Sequence, residues 1–337
     1  MEIELLKTQI DHTELQENKP FFNKCIKGKS IYHYTSISGL QGILSEKKLR
    51  FTNIEYMNDK DEIIAGLDSM VKSLEIPEEL RQEVFFNIIK RGRQKFVCCF
   101  SLDEDSLPMW NYYTKEINNQ GYNIEFNNKK LVESILRSNP MLDGCDISFG
   151  NVDYSKDNNS KYSRNAKGAL DLSIEIWLLE LILGIIGVID KNGSTEDMKK
   201  EIDNLKKKQR QYKLPIYSFC GEEGEFGTNI SPDDLLCFIK RNYFSHEKEF
   251  RIIITVPDEL IPRLKEKGIY KFFARNGILV PYIELGFSEN VIKSIMISPT
   301  MQSDLVEHSI QEFMEYHKYG IEDFSKFIKH SKIPVRF

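Results

Sequence analysis

A short run of alternating charges, Glu247 to Arg251 (EKEFR), is the sharpest chemical feature of the sequence. It opens a segment, His246 to Val256, whose β-branched composition predicts a strand that is exposed at its start and buried at its end. Because side chains alternate across a strand, Glu247, Glu249 and Arg251 are expected on one face within about 14 Å. They form either an ion-paired surface or a site in which one carboxylate stabilises a developing cation and the other orients a nucleophile.

A second candidate element is His33-Tyr34-Thr35-Ser36, at the end of a predicted strand over Ser30 to Ser36. A helix is predicted over Ile37 to Glu46, so the free backbone N–H groups of its N-terminus lie beside this element. Such a junction suits a ribose or a phosphate. A histidine in an aromatic strand is more often a packed, hydrogen-bonded side chain than a ligand-binding one.

A third candidate combines Ser101, at the end of a predicted buried strand from Lys95 (KFVCCFS), with Trp110 and Tyr113 in the helix that follows. Aromatic residues three apart on a helix share a face and can form a wall for a planar ring, although core packing is an alternative. A nucleophilic Cys98 or Cys99 is disfavoured by its place in a buried strand. No zinc, P-loop or nucleophile-elbow motif occurs, so a resident metal is not expected.

Composition restricts the setting in which this chemistry takes place. The 337 residues carry a formal charge of -5, which argues against a uniformly positive nucleic-acid-binding surface. The six cysteines form no C-x-x-C pair, and the charged N-terminus does not resemble a secretory signal, so a reducing cytoplasm is predicted. The apolar stretch 169–189 contains three acidic residues and is predicted as a buried or partner-binding helix that does not cross a membrane.

The periodicity predicts an α+β protein with one domain interrupted by an insertion. Residues 25–126 form the first half of the core, 127–215 a mostly helical insertion, and 216–337 the second half with a C-terminal helix. Further elements are a strand over 48–52, helices over 59–91, a strand over 121–126 with a polar outer face, a charged helix over 197–212, a helix over 232–240, a strand over 291–298 and a helix over 304–319.

The ordered motifs resemble a widespread bacterial family of unassigned function. They are Y-H-Y-T-S, G-L-x-x-I-L, C-F-S, M-W-x-x-Y, G-Y-x-I-E-F, H-E-x-E-F-R and S-K-I-P-x-R. The first block and the late E-x-E also resemble the ADP-ribosyltransferase superfamily, whose H-x-[ST] element holds the ribose of NAD and whose glutamate is catalytic. This resemblance implies an ADP-ribosyltransferase-like split β-sheet core.

The resemblance also implies roles for individual residues. His33 would bind a ribose hydroxyl, the Tyr34 backbone would hold the nicotinamide carboxamide, and Thr35 would support the strand end. Glu249 would stabilise the oxocarbenium-like transition state, and Glu247 would orient the acceptor. The remaining assignments to the NAD site are Ser101 in the middle motif, Tyr113 or Trp110 stacked on nicotinamide, and Arg251.

The function implied is therefore an NAD-dependent transferase acting on a protein or nucleic acid, or an NAD-hydrolysing enzyme, serving as a toxin or an anti-phage effector. One alternative is a noncatalytic nucleotide sensor that binds a partner through residues 170–189. Another is a nucleic-acid-directed enzyme that uses the lysines of 199–213. Glu249→Gln is expected to abolish NAD turnover and to leave the fold intact.

Overall fold

The computed structural model describes residues 5–9, 29–57, 92–114, 120–152, 154, 172, 175, 176, 179, 196–209, 237, 238, 240, 242–301 and 304–334. The helices predicted over 59–91 and most of that over 232–240 lie outside these residues. Within them the chain is a mixed α+β structure built on a largely antiparallel open sheet, which confirms the predicted class.

Eleven strands form the sheet in the described part of the chain. They are β1 (Leu5–Gln9), β2 (Ser30–Thr35), β3 (Lys48–Asn53), β4 (Arg93–Ser101), β5 (Tyr122–Asn127), β6 (Asp146–Asn151), β7 (Glu249–Pro257), β8 (Tyr270–Arg275), β9 (Ile278–Gly286), β10 (Ile292–Ile297) and β11 (Ile328–His330).

The described α-helices are α1 (Ile37–Glu46), α2 (Leu107–Tyr113), α3 (Asn128–Ser138), α4 (Glu196–Gln209), α5 (Ile261–Glu266), α6 (Asp304–Tyr316) and α7 (Phe324–Phe327). Short 3₁₀ helices cover Ile54–Tyr56, Pro140–Leu142, Asn242–Glu247, Asp258–Leu260 and Glu289–Val291. No helix in these ranges combines the length and apolarity that a membrane crossing requires.

The sheet divides at β4. Its main path runs β1-β6-β7-β4-β2-β5-β10-β11, and a branch of β3, β9 and β8 also joins at β4. One end of β4 pairs with β2 at Ser101, and β3 pairs with the same strand further back, at Val97 and Phe96. The stretch of β4 between these two pairings therefore borders a gap between β2 and β3.

The two faces of the sheet have different chemistry. One face of β4 and β7 packs under α1, α3 and α6 in the main hydrophobic core, with Phe96, Cys98, Phe100, Phe250, Ile252 and Ile254. Alternation places Val97, Cys99, Ser101, Glu249 and Arg251 on the other face, and the register sets Ser101 opposite Glu249 and Cys99 opposite Arg251. The polar side chains Ser101, Glu249 and Arg251 therefore lie on the side of the sheet away from the main core.

The junction of β2 and α1 matches its prediction closely. Ser36 is the N-cap of α1, and its hydroxyl accepts a hydrogen bond from the Gly39 amide at 3.2 Å. A Cβ atom at Gly39 would lie 2.0 Å from Thr35 Oγ1, so only glycine lets the helix pack this closely on the strand end.

The start of β7 differs from its prediction. The strand begins at Glu249, and Glu247 ends the preceding 3₁₀ helix. Lys248 between them has a φ of 43°, in the left-handed region, which ends any regular alternation there. Glu247 and Glu249 are thus close in space through a sharp turn of the backbone rather than through strand periodicity.

Strand β5 also differs, because Asn123 and Glu125 on its predicted polar face are buried. Glu125 accepts hydrogen bonds from Ser30, Lys293, Ser294 and Lys329, so this face is covered by an ion-paired network. The segment 127–215 contributes α3 and β6, and β6 lies within the sheet between β1 and β7. The division into core and insertion stays a prediction.

The apolar stretch 169–189 falls mostly outside the described residues. Among those described, Ile176 is buried against Ile202 and Leu205 of α4, with Leu172 and Leu179 packed beside them. Positions 172, 176 and 179 share one helical face, so this face contacts α4 of the same chain.

Candidate active site

A half-open cavity of about 220 Å³, called here the fork cavity, lies where β2 and β3 diverge from β4. Its lining includes side chains from β2, β3, β4, α2 and the turn before β7. Six of the residues predicted from the sequence contribute to it: His33, Tyr34, Ser101, Tyr113, Glu247 and Glu249. Residues that lie more than 200 positions apart in the chain therefore meet in one cavity.

His33 bridges the gap between β2 and β4. Its Nδ1 lies 3.1 Å from the carbonyl oxygen of Cys99, in the stretch of β4 that has no strand pairing with β2. A carbonyl only accepts, so Nδ1 carries the proton and Nε2 is left as an acceptor. Burial lowers the pKa of His33, which keeps the imidazole neutral. The ring is therefore suited to accept a hydrogen bond from a ligand hydroxyl.

Ser101 fixes the backbone of the acidic turn. Its side chain is fully buried, and its hydroxyl donates to the carbonyl of Glu247 at 2.8 Å and accepts from the Asp103 amide at 3.1 Å. The first of these contacts holds the backbone of Glu247 in place. Ser101 lines the cavity, but its hydroxyl is already engaged on both sides.

Four charged side chains form a buried cluster at the inner end of the cavity. Arg251 donates to both oxygens of Glu249, from Nε at 2.8 Å and from Nη2 at 2.9 Å. Lys240 Nζ lies 2.8 Å from Glu247 Oε2 and 3.5 Å from Glu249 Oε2. All four side chains are at most 9% exposed, and their formal charges sum to zero.

The cluster has a clear polarity with respect to the cavity. Glu247 and Glu249 line the cavity, whereas Lys240 and Arg251 do not. Burial alone would raise the pKa of Glu249, but the Arg251 charge, its hydrogen bonds and Lys240 lower it to about 2. The cavity therefore ends in two carboxyl groups, of which Glu249 stays ionised at neutral pH, and their cationic partners Lys240 and Arg251 lie outside the lining.

The cysteines on β4 do not provide a thiolate. Burial raises the pKa of Cys98, and it also raises that of Cys99, whose thiol hydrogen-bonds to the negative Glu249. Cys99 lines the cavity in its protonated form and adds a weak donor to the Glu249 carboxylate.

The two aromatic residues of α2 have different positions. Tyr113 is 46% exposed and stands at the cavity beside Glu247 and Glu249, so it can cover a planar ring. Trp110 is 1% exposed and lies outside the lining; it packs edge-on against Tyr34, with ring centroids 4.7 Å apart. Trp110 is therefore a core residue, whereas Tyr113 forms part of the cavity wall.

Tyr34 directs its hydroxyl away from the cavity. The hydroxyl donates to the Asp103 carbonyl at 2.8 Å and accepts from the Ser106 amide at 3.0 Å. This anchors the loop before α2 and leaves the strand end beside the fork. Thr35 is buried next to Gly39, and neither Thr35 nor Arg251 belongs to the lining.

Sequence reasoning missed three residues that shape the cavity. Arg50 on β3 and Arg275 at the end of β8 both line it, and Lys240 pairs with the carboxylates from behind. Asn276-Gly277, with φ of 50° and 78°, forms the turn between β8 and β9, and this dipeptide between β-rich runs is a hairpin signal that would have placed Arg275. Lys240 has no comparable signal.

Acid should destabilise the protein through its buried carboxylates. Hydrogen bonds from Lys293, Ser294, Ser30 and Lys329 outweigh burial and lower the pKa of Glu125 to about 2, as the cluster does for Glu249. Since the unfolded pKa is near 4.5, the stabilisation is complete above that pH and is lost as the pH falls towards 2. Urea unfolding at a series of pH values in this window measures how the free energy of unfolding depends on pH. Glu125→Gln should weaken this pH dependence, and an unchanged pH dependence would contradict the role assigned to Glu125.

Comparison with known proteins gives one match. The model of a family described as protein of unknown function (DUF2971) matches residues 109–252, less than half of the chain. This region holds Tyr113, Glu247 and Glu249, whereas His33, Arg50 and Arg275 lie outside it. No curated protein and no solved structure matches. Over the region of α2 to the start of β7, the chain is similar to an uncharacterised domain family.

Proposed function

We propose that the fork cavity binds NAD as a substrate, on an ADP-ribosyltransferase-like core, and that the protein cleaves the bond between nicotinamide and ribose. The ADP-ribose would pass to a macromolecular acceptor, a protein or a nucleic acid, or to water. One observation supports this proposal above the others: Glu247 and Glu249 line the cavity while their cationic partners lie behind them.

The chemistry requires a fixed negative group and little else. When the bond breaks, its electron pair leaves with nicotinamide as a neutral ring, and positive charge develops on the ribose. An ionised carboxylate that is already in place stabilises this charge without reorganisation. Arg251 holds both oxygens of Glu249, so the group is preorganised and deprotonated at neutral pH.

The other carboxylate and the histidine would handle hydroxyl groups. Glu247 can accept a hydrogen bond from the attacking hydroxyl of the acceptor, whose oxygen then bonds to the ribose carbon and whose proton is released. Neutral His33 presents Nε2 as an acceptor for a ribose hydroxyl. Tyr113, half exposed at the cavity, would cover the nicotinamide ring.

The size of the cavity limits which part of the ligand it encloses. Its volume of about 220 Å³ is below the roughly 300–1,000 Å³ typical of pockets that enclose a drug-sized ligand. The nicotinamide and its ribose would lie inside, and the rest of the dinucleotide would extend along the rim formed by β3 and β8.

A second candidate function is NAD binding without cleavage. The bidentate contact with Arg251 already occupies both oxygens of Glu249, and Lys240 lies 3.5 Å from one of them. Two nearby cations weaken the field that this carboxylate exerts on the ribose. A nucleotide-sensing module would tolerate that loss, whereas an enzyme would be slowed by it.

The two candidates separate in one experiment. The protein is incubated with NAD labelled in the adenylate, alone and in cell lysate, and free nicotinamide and label on protein, RNA and DNA are followed. Release of nicotinamide supports cleavage, and the labelled fraction identifies the acceptor. Bound NAD that is recovered intact supports the sensor. If the protein neither binds NAD nor releases nicotinamide, both candidate functions are refuted.

A further inference from the structure

The cavity also holds two guanidinium groups that the proposed reaction does not use, and they are more exposed than the buried carboxylates and so mark its rim. Arg50 extends from β3 and Arg275 from the end of β8, and both contribute to the lining. The register of β3, β9 and β8 places them on the same face of the branch, the face that also carries Thr52 and Tyr282.

This rim has a surplus of positive charge within the described residues. Its four cations, Lys48, Arg50, Lys271 and Arg275, face two carboxylates. Glu284 is shared by three of them, with Lys271 closest at 2.5 Å and Lys48 and Arg50 each at 3.8 Å, and Glu46 lies 3.4 Å from Lys48. Arg275 donates to the backbone carbonyl of Tyr56 and forms no ion pair with a carboxylate of the described residues. Glu284 is therefore mainly bound to Lys271, which does not line the cavity.

Both guanidinium groups rest on aromatic rings. Arg50 Cζ lies 5.2 Å from the centroid of Tyr282, and Arg275 Cζ lies 5.9 Å from that of Phe273. Such stacking restricts the side chains, and a guanidinium has five N–H groups, so Arg275 keeps donors for an anion besides the one that Tyr56 accepts. Two oriented guanidinium groups that line the same cavity can each donate to phosphate oxygens.

We propose that Arg50 and Arg275 bind the phosphates of the dinucleotide, and so select a phosphorylated ligand over its nucleoside. This inference rests on the proposed function. It follows from the polarity of the cavity, which has carboxylates at the inner end and guanidinium groups at the rim. A ligand with a cationic or neutral head and an anionic tail, as in NAD, fits that polarity in one orientation.

The test is calorimetric titration of three ligands: nicotinamide riboside, nicotinamide mononucleotide and NAD. The wild type should bind both phosphorylated ligands more tightly than the riboside. Arg50→Gln and Arg275→Gln should each weaken the affinity for NAD by about 10- to 100-fold, the effect expected for a hydrogen bond to a charged group. The affinity of each variant for the riboside should change by less than about twofold.

Lys48→Gln is the matched control, because it removes a cation that lies on the same strand as Arg50 but outside the cavity, and it leaves the Lys271–Glu284 pair in place. NAD affinity should stay within about twofold in this variant. If NAD binds and the two arginine variants keep wild-type affinity, or if all three ligands bind equally, the inference is overturned and the proposed function stands. If neither the riboside nor NAD binds the wild type, both fail.

Discussion

Glu249→Gln is expected to lower the rate of nicotinamide release from NAD by about 10²- to 10³-fold, the effect of removing one preorganised group that stabilises transition-state charge. The amide is nearly isosteric and its oxygen can still accept from Arg251, but it loses the negative charge at the cavity. Steady-state assays of released nicotinamide measure the change. A wild-type rate would refute the role of Glu249.

The same variant should keep its fold but lose stability. Replacing one carboxylate leaves Arg251, Lys240 and Glu247 with a net positive charge in a buried cluster. Glu125→Gln is the matched control: Glu125 is 6% exposed against 5% for Glu249, carries the same lowered pKa, and lies outside the cavity. It should lower stability without the loss of turnover. If both variants lose the same fraction of the nicotinamide-release rate, the loss in Glu249→Gln comes from folding and not from catalysis.

Arg251→Met is expected to destabilise the protein by about 3–5 kcal/mol, because it leaves Glu249 buried without its bidentate partner. The variant also removes the donor to the Cys237 carbonyl, which lies 2.6 Å from Nη1. Lys240 lies 3.5 Å from Glu249 and is already paired with Glu247, so it compensates only in part. Urea unfolding at neutral pH gives the free energy.

A double variant separates this ion pair from its surroundings. Arg251→Met with Glu249→Met removes both charges and leaves the pair Lys240–Glu247, at 2.8 Å, intact. It should be more stable than Arg251→Met alone, since buried ion pairs can be replaced by apolar side chains at little cost. A double variant that loses the sum of the two single effects would contradict the account of the cluster.

Local patterns in the sequence predicted most of the elements on which the candidate site depends. The bounds of β2 and α1 follow from a β-rich run that ends in Ser36, whose hydroxyl caps the helix. The strand β4 was expected from its apolar run, and its pairing with β7 brings Ser101 opposite Glu249. Local signals of this kind survive because capping and alternation are set by neighbouring residues.

Features that depend on distant residues could not be read in the same way. Periodicity places Glu247 on a strand, but Lys248 adopts a left-handed conformation that periodicity does not encode. Burial of Glu125 depends on Lys293 and Lys329, more than 160 positions away. The sequence pattern includes Arg251, the main partner of Glu249, but not Lys240, which lies 3.5 Å from Glu249 in a segment with no motif of its own.

The most direct test of the central claim is the electron density of crystals soaked with a non-hydrolysable carba analogue of NAD. The account predicts density for the nicotinamide and its ribose in the fork cavity, between His33 and Glu249, with Tyr113 over the ring. Density for the analogue elsewhere on the protein, or an empty cavity at a saturating concentration, would contradict it.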